Sequence, residues 1–245
     1  MAWRVLTWNI LGAKNPDSVA AIAEYVRLSN PDVVALQEAR RRQAKALADA
    51  IGWRVVWKRK HYPLTPLLWW RAEGQAILAP AKLVEERHSV LSRGASKWTY
   101  RRRIMVAATV VRDSDRLRVH NVHLSSSDTD ERIEQARRAA TIIAAEPSAL
   151  RVVCGDMNAA NEQEVIREFH AVGVRDTGGD FTNHSRAPTK RLDYVLVPEN
   201  AKVSAIDTPD GGDEWAALSD HLPVLVEFWS EGFVPNGLDA FPVAT

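Results

Sequence analysis

The sequence contains a single cysteine, Cys154, among its 245 residues, so no disulfide bond can form within the chain. Cys154 lies in an apolar stretch at 152–155, which predicts a small buried side chain rather than a nucleophile. The sequence also lacks an apolar run long enough to span a bilayer, and strand-like residues follow Met1 directly, without an apolar signal region. These absences predict a soluble protein of the cytoplasm.

An excess of charge of either sign is missing too. The chain carries 32 Lys and Arg against 31 Asp and Glu, a net charge of +1, which gives no general attraction to nucleic acid or to membranes. Basic residues cluster locally, at 40–42, 58–60 and 101–103. Each cluster taken alone is typical of the solvated end of a strand or helix.

Strand-forming segments recur along the whole chain, with helical segments between them. The predicted strands are 3–9, 32–37, 53–57, 75–78, 104–111, 117–124, 151–155, 192–197, 201–206 and 222–228. The predicted helices are 15–28, 41–51, 129–145 and 162–172. Since no long linker divides the chain, we expect one α/β domain over residues 1–230, followed by an irregular tail at 231–245.

Five polar motifs share one pattern, in which an apolar strand ends in carboxylate, amide or imidazole side chains. They are Thr7-Trp8-Asn9, Gln37-Glu38, Asn121-Val122-His123-Leu124, Gly155-Asp156-Met157-Asn158 and Ser219-Asp220-His221-Leu222-Pro223-Val224. Because side chains alternate along a strand, Asn121 and His123 share a face with the apolar Leu117 and Val119. Strand ends that bring such groups to a common surface suit a hard divalent cation and a phosphate ester.

Hydrolysis of a phosphate ester requires charge neutralisation, an oriented water molecule and stabilisation of the leaving oxygen. A divalent cation held by oxygen ligands supplies much of the first and third. Glu38, at the end of its apolar strand, is the natural single-carboxylate anchor for that cation. Asn9 is expected to orient a water on the metal or a phosphate oxygen.

The remaining steps fall to the second half of the sequence. His221 is a candidate phosphate donor or acid–base group, and Asp193 is the candidate carboxylate that fixes its tautomer. Asp156 and Asn158 lie two residues apart on a strand-end turn, so both can face one ligand. Asp156 would orient or deprotonate the attacking water, and Asn158 would hydrogen-bond the phosphate.

Each motif taken singly also has an ordinary structural interpretation. Glu38 is also typical of a solvated strand end, Asn9 and the 155–158 segment are typical turns, and His123 is typical of a satisfied core histidine. The Asp220-His221 pair is also typical of a surface segment before an edge strand, because Pro223 disfavours a central strand. The co-occurrence of all five motifs, in order, favours the functional interpretation.

Other histidines and tryptophans are less informative. His61, His88, His120, His170 and His184 belong to none of these motifs, so no role is assigned to them. The pair Trp69-Trp70 lies in an irregular stretch near the 58–60 cluster. It either stacks on nucleic-acid bases or covers the core.

The motifs together resemble the endonuclease/exonuclease/phosphatase family, the metal-dependent superfamily of the pancreatic-type deoxyribonucleases. The resemblance runs in order along nearly the whole chain. Besides the five motifs, it includes the segments 31–38, 74–78 and 191–194 and the helix residues Arg132 and Gln135. The resemblance is specific for the family and not for a substrate.

This resemblance implies a four-layer α/β (α+β) sandwich, in which two packed β-sheets are flanked by helices and the site lies at one end. It implies Mg²⁺ or Mn²⁺ as cofactor, with Glu38 as metal ligand, Asn9 beside it and Asp220 near the metal. His123 would contact phosphate, Asp156 and Asn158 would flank the attacking water, and Asp193 would pair with His221. Whether one or two metals act, and whether Asp156 or His221 is the base, stays open.

Departures from branches of the family bear on the substrate. Abasic-site endonucleases of the family carry Tyr at the position of His123. In having His at this position, the chain resembles the deoxyribonuclease, sphingomyelinase and inositol-phosphatase branches instead. Arg102 and Arg103 precede a central strand, where the family often has Arg, and are candidate substrate-binding residues.

Three functions follow as hypotheses. The leading one is a metal-dependent phosphodiesterase or nuclease, acting as a monomer on DNA or RNA by in-line attack of water. The second is a phosphatase or phosphodiesterase of a small phosphorylated metabolite or lipid head group. The third is an inactive binding module, which the complete set of site residues disfavours.

Overall fold

The computed structural model describes residues 2–12, 18–62, 68, 71–94, 97–98, 102–146, 150–160 and 163–230. Its strands are β1 (Trp3–Asn9), β2 (Val33–Arg40), β3 (Arg54–Arg59), β4 (Glu73–Ala79), β5 (Lys82–Val90), β6 (Ile104–Arg112), β7 (Asp115–His123), β8 (Arg151–Asp156), β9 (Val174–Asp176), β10 (Asp193–Pro198), β11 (Ala201–Asp207) and β12 (Val224–Ser230). Its helices are α1 (Val19–Ser29), α2 (Arg41–Ile51), α3 (Thr129–Ala144), α4 (Gln163–His170) and α5 (Asp213–Ala216).

The strands form two mixed sheets of six strands each. The first sheet has the order β11-β12-β1-β2-β4-β3 and the second β5-β6-β7-β8-β10-β9. In each sheet one central pair is parallel, β1 with β2 and β7 with β8, and its neighbours are antiparallel. Because parallel strands end at the same edge, these two pairs bring four carboxyl-terminal strand ends to one end of the molecule.

Alternation along the central strands divides the core into three apolar clusters. Val5 packs between the sheets with Val106 and Val152, whereas the next residue, Leu6, points outward into a cluster with α1 and α2. A third cluster holds α3 and α4 against the outer face of the second sheet. The order helices, sheet, sheet, helices confirms the predicted four-layer sandwich.

Some elements differ from the sequence-based prediction. The edge strand β5 was not predicted, because its exposed residues 85–88 are all polar or charged and a bulge between Val84 and Arg87 breaks the alternation. The short β9 and α5 were missed as well. The β12 strand lies between β11 and β1, so Pro223 precedes an interior strand rather than an edge strand.

Several predictions fall on parts of the chain outside the described residues. These are the start of the first helix at 15–17, the start of the fourth helix at 162, the pair Trp69-Trp70, Arg101 of the 101–103 cluster and the tail at 231–245. A single domain over 1–230 stays a prediction. Within the described residues, each helix is too short or too polar to cross a membrane.

Candidate active site

A polar cavity of about 350 Å³ opens where the parallel strand pairs end. Its lining contains seven of the predicted site residues: Asn9, Glu38, His123, Asp156, Asn158, Asp220 and His221. Asn9 ends β1, His123 ends β7 and Asp156 ends β8, whereas Asp220 and His221 lie just before β12. Both sheets therefore contribute to one cavity, as the strand-end pattern predicts.

His221 and Asp193 form a buried pair beside the cavity. His221 Nδ1 lies 2.7 Å from Asp193 Oδ2, which also accepts a hydrogen bond of 2.6 Å from the Thr182 hydroxyl. The pairing fixes the imidazole with Nε2 on the side of Asp156, at 3.9 Å from Asp156 Oδ2. The predicted pairing of Asp193 with His221 is present in the structure.

Asp156 is held between the two sheets. Its Oδ2 accepts a hydrogen bond of 3.0 Å from the Asn9 side-chain amide, and its Oδ1 accepts one of 3.0 Å from the Asn158 backbone. Burial raises the pKa of Asp156 from 3.8 to about 7, although the charge of His221 opposes the increase. Asp156 therefore titrates near neutral pH, where a general base works best.

His221 has the opposite electrostatic character. Burial alone would lower its pKa, but the carboxylates of Asp193 and Asp156 outweigh burial and raise the pKa to about 10. His221 thus carries a proton at neutral pH. A protonated imidazole in a buried cavity is suited to donate a hydrogen bond or a proton.

Glu38 enters the cavity through an irregularity in β2. A register shift between Leu36 and Ala39 places Glu38 in the left-handed region, with φ 53°. Burial and the charge of Glu73 raise the pKa of the Glu38 carboxyl, while Lys60 and Arg103 oppose that increase. The bulge presents one partly buried carboxylate to the cavity in a position that regular alternation would not give.

Segment 219–221 is tied to the end of β1. The Ser219 hydroxyl donates to the Asn9 carbonyl at 2.6 Å, and the Trp8 indole donates to the His221 carbonyl at 2.8 Å. Asp220, which lines the cavity, has a buried Oδ1 with no hydrogen-bond partner among the described residues. This oxygen is available to a ligand.

His123 contacts a buried arginine. Arg103 Nη1 lies 2.9 Å from His123 Nε2, and Asp156 Oδ2 lies 3.5 Å from the same nitrogen. Burial and the charge of Arg103 hold the pKa of His123 well below its usual range, so the ring is neutral and Nε2 accepts from Arg103. His123 Nδ1 has no partner among the described residues.

The two predicted substrate-binding arginines point to different places. Arg103 is buried against His123, which lines the cavity, whereas Arg102 donates to the Lys60 carbonyl at 2.9 Å; neither arginine is part of the lining itself. Neighbouring residues in an extended chain face opposite sides, so only one of them can reach the site. A substrate contact of Arg102 stays a prediction.

Five further cavity residues were not singled out from the sequence: Leu11, Glu73, Ser126, Asn183 and His184. Glu73 forms a buried ion pair with Lys60, 2.9 Å long, in which the side chains are 4% and 2% exposed. In the sequence these residues are a carboxylate at a strand start and a lysine after a strand end, which look like ordinary solvated ends. The antiparallel pairing of β3 with β4 brings Lys60 and Glu73 together.

A candidate metal group lies in the same region. Asp156, Asp193 and His221 offer ligand atoms that all lie within 4.8 Å of one another. His221 Nδ1 and Asp193 Oδ2 already bond to each other, and Asp156 Oδ2 accepts from Asn9. Asp193 Oδ1 has no hydrogen-bond partner among the described residues. Glu38 and Asp220 offer further carboxylate oxygens to the cavity.

A sequence model of the Endonuclease/Exonuclease/phosphatase family matches residues 6–221, almost the whole stretch between the first and last motif. The chain belongs to this family. Membership in the endonuclease/exonuclease/phosphatase family supports the hydrolysis of phosphate esters as its general reaction, and members are generally dependent on divalent metals. No curated protein matches the sequence.

Solved structures of the family share the fold of this chain at low sequence identity. An endonuclease/exonuclease/phosphatase from Bacteroides vulgatus is 19% identical, with a TM-score of 0.79 over 94% of this chain and 100% of that one. A mannosyl-6-phosphatase from Bacteroides thetaiotaomicron is 18% identical, with a TM-score of 0.73 over 93% and 99% of the two chains. TDP2 from D. rerio, complexed with single strand DNA product, is 19% identical, with a TM-score of 0.74 over 94% and 99%.

Proposed function

We propose that the protein is a Mg²⁺- or Mn²⁺-dependent phosphodiesterase that cleaves nucleic acid by in-line attack of water. The observation that carries the reaction is the cavity in which a protonated His221, backed by Asp193, faces Asp156, whose pKa is about 7. An acid and a base with separated pKa values are what a displacement at phosphorus needs.

The donor set fits a hard divalent cation. Asp220 Oδ1 is buried without a hydrogen-bond partner among the described residues, and the pKa of the Glu38 carboxyl is raised by burial. Both side chains line the cavity, and Mg²⁺ is typically held by one or two carboxylates. Glu38 and Asp220 would hold the ion, which supplies Lewis-acid charge to the phosphoryl oxygens when bound.

The protein groups would divide the remaining work. Asp156, oriented by the Asn9 amide, would accept a proton from the attacking water. His221 would donate from Nε2 to a phosphoryl oxygen, because Nδ1 is held by Asp193. Asn158 lines the cavity beside Asp156 and would hydrogen-bond a non-bridging oxygen, and the buried Arg103 would add positive charge behind His123.

Nucleic acid as the substrate is supported by an aromatic and cationic surface next to the site. Tyr62 and Trp98 meet edge to face at 5.7 Å, with Arg59 4.5 Å from the Tyr62 ring and Lys97 5.2 Å from the Trp98 ring. The Trp98 side chain is 39% exposed. We call these four residues the stacking surface, because alternating rings and cations are typical of single-stranded nucleic acid binding.

The stacking surface is connected to the cavity wall. Arg59 ends β3, and the next residue, Lys60, pairs with Glu73 of the cavity lining. A strand lying on Tyr62 and Trp98 would therefore lead a phosphate towards Glu38 and Asp156. The structure of TDP2 with a single strand DNA product, a protein of the same fold, is in line with this proposal.

A small phosphorylated metabolite or lipid head group is the second candidate substrate. The cavity volume of about 350 Å³ suits a compact ligand, and a mannosyl-6-phosphatase shares the fold.

Metal-dependent turnover of three substrates side by side tests both candidates: supercoiled plasmid and single-stranded oligonucleotide, a generic phosphodiester, and a panel of sugar and inositol phosphates. We expect Mg²⁺-dependent cleavage of the nucleic acids, lost in His221→Ala. Trp98→Ala and Lys97→Gln should slow oligonucleotide cleavage and leave the generic diester unchanged. Lys45→Gln, on the exposed face of α2, is the matched charge control.

Turnover confined to sugar or inositol phosphates would overturn the nucleic-acid proposal in favour of the second candidate. Silence on all substrates would revive the inactive binding module.

A further inference from the structure

A second depression adjoins the catalytic cavity on the side of β12. It has a volume of about 410 Å³ and is lined by His184, Ser185, Arg186, Ala187, Ala216 and Asp220, and we call it the side groove. His184 and Asp220 line the catalytic cavity as well. The two spaces therefore share a wall, and a substrate with its phosphate in the cavity has the side groove directly beside it.

The stacking surface and the side groove lie on opposite sides of the reacting groups. In the first sheet, β3 and β4 lie on one side of the β1–β2 pair, and β12 lies on the other. The Lys60–Glu73 pair marks the first side, and segment 219–221 marks the second. The side groove is thus a separate feature that the stacking surface does not explain.

The side groove is fixed to the segment that carries the reacting residues. The Ser185 backbone donates to the Asp220 carbonyl at 2.9 Å, and the Ser185 hydroxyl donates to the Ser219 carbonyl at 2.5 Å. The Asn183 side chain also donates to the Asp220 carbonyl, at 3.1 Å. A group seated in the side groove would therefore be held in register with Asp220 and His221, which is the requirement for a substrate subsite.

The lining combines short apolar side chains with one cation, Arg186, and with the carboxylate of Asp220 on the wall shared with the catalytic cavity. Ala187 and Ala216 present short apolar side chains, and His184 adds a flat imidazole. Arg186 pairs with Asp213 at 2.7 Å, but the two side chains are 72% and 83% exposed, so the pair is weak. A phosphate arriving at this end of the groove can take over the Arg186 guanidinium by bidentate contact.

We propose that the side groove binds the nucleoside attached to the scissile phosphate, with the next phosphate of the strand on Arg186. The inference rests on the proposed function, and it adds that the enzyme recognises one unstacked nucleotide on the β12 side of the cut. An apolar floor, an imidazole and a terminal guanidinium match a ring system followed by a phosphate, and they offer little to a polyhydroxylated sugar.

Filling the side groove with a larger side chain tests the proposal. Ala216→Phe places a ring in the groove, and Ala217→Phe adds the same ring to the next residue, which is exposed and outside the lining. The substrates are thymidine 5′-(p-nitrophenyl) phosphate and methyl p-nitrophenyl phosphate, which share a leaving group. We expect Ala216→Phe to lower the preference in kcat/KM for the nucleoside ester at least ten-fold, and Ala217→Phe to leave it unchanged.

Arg186→Gln isolates the second phosphate. Adding a 3′-phosphate to the nucleoside ester should raise kcat/KM in the wild type, and Arg186→Gln should remove most of that gain. An unchanged preference in a folded Ala216→Phe variant would overturn the proposal. Should that variant fail to fold, Ala187→Phe fills the same groove from an exposed position.

Calorimetric titration with thymidine 3′,5′-bisphosphate separates this inference from the proposed reaction. Binding by the wild type that is lost in Ala216→Phe supports the side groove, whether or not the esters are hydrolysed. Absence of hydrolysis would overturn only the phosphodiesterase proposal. Equal binding by both proteins, or binding by neither, would overturn the side groove.

Discussion

The Asn9 side-chain amide donates a 3.0 Å hydrogen bond to Asp156 Oδ2 and thereby joins the end of β1 in one sheet to the end of β8 in the other. Asn9 Oδ1 accepts a hydrogen bond of 3.1 Å from the Leu11 backbone N–H, so both ends of the side-chain amide are engaged. From the sequence, Asn9 was placed beside the metal. The structure gives it a second task, which is to orient the candidate base.

Asn9→Ala should therefore act through Asp156. We expect kcat for phosphodiester hydrolysis to fall about 10- to 100-fold with little change in KM, because an oriented base is lost while substrate contacts remain. Steady-state kinetics of the variant beside Asn200→Ala, an exposed asparagine on the far loop after β10, would measure this. A rise in KM alone would argue for a substrate contact instead.

The His221–Asp193 pair should behave as one unit. His221→Ala and Asp193→Asn should each lower kcat/KM by about 100-fold or more, and the double variant should be scarcely worse than His221→Ala. The physical reason is that Asp193 acts only by holding Nδ1 of the imidazole. If the loss of kcat/KM in the double variant equalled the product of the two single losses, the two residues would act independently.

Glu38→Gln should have opposite effects on stability in the absence and presence of metal. Without metal, Tm should rise, because burial and Glu73 disfavour the Glu38 carboxylate. With Mn²⁺, the wild type should gain Tm and the variant should gain far less, which reflects metal affinity weakened by about ten-fold or more. Thermal melts across a Mn²⁺ titration give both numbers, with the exposed Glu24→Gln as control. An equal gain of Tm with Mn²⁺ in the wild type and in Glu38→Gln would exclude Glu38 as a ligand.

The pKa of Asp156 makes the metal-free protein less stable at higher pH. Because burial raises that pKa from 3.8 to about 7, the native state binds the proton more tightly than the unfolded chain. The stabilisation is complete below pH 3.8 and is lost as pH rises through 7. Denaturant unfolding should show the stability difference between the wild type and Asp156→Asn shifting by about 3–4 kcal/mol against the wild type between pH 4 and pH 7.5. A constant difference would mean that Asp156 has an ordinary pKa.

The Lys60–Glu73 pair should be essential for folding stability. Lys60→Met leaves Glu73 as a buried, uncompensated carboxylate and should cost about 3–5 kcal/mol of unfolding free energy. Adding Glu73→Gln should restore much of that loss. Lys45→Met, which removes an exposed pair with Asp49, should change stability by about 0.5 kcal/mol or less. Equal costs for the two lysines would contradict the buried pair.

Strand periodicity and strand-end chemistry were sufficient to predict which residues meet at the cavity. Asn9, His123 and Asp156 end strands whose apolar alternation is clear in the sequence, so their common edge followed. The position of Glu38 was predicted but not its cause, because a bulge at positive φ leaves no simple signal in a sequence.

Long-range pairing was the part that the sequence could not supply. Lys60 and Glu73 are neighbours only through the β3–β4 register, and Arg102 and Arg103 are distinguished only by the direction in which each one points. His184 belongs to none of the strand-end motifs and received no role, yet its loop folds back onto Asp220 and lines the cavity. In each case the deciding contact joins segments that are distant along the chain.

The reacting groups are drawn from positions 9 to 221, and β12, which follows His221, is inserted beside β1. A nascent chain on the ribosome therefore possesses the first carboxylate long before it possesses the histidine, and the two meet only after the late strand has docked against the earliest one. The set of reacting groups is therefore incomplete until synthesis has passed His221. Recovery of activity after denaturation would accordingly report the closure of this last-to-first strand pairing rather than the formation of either sheet.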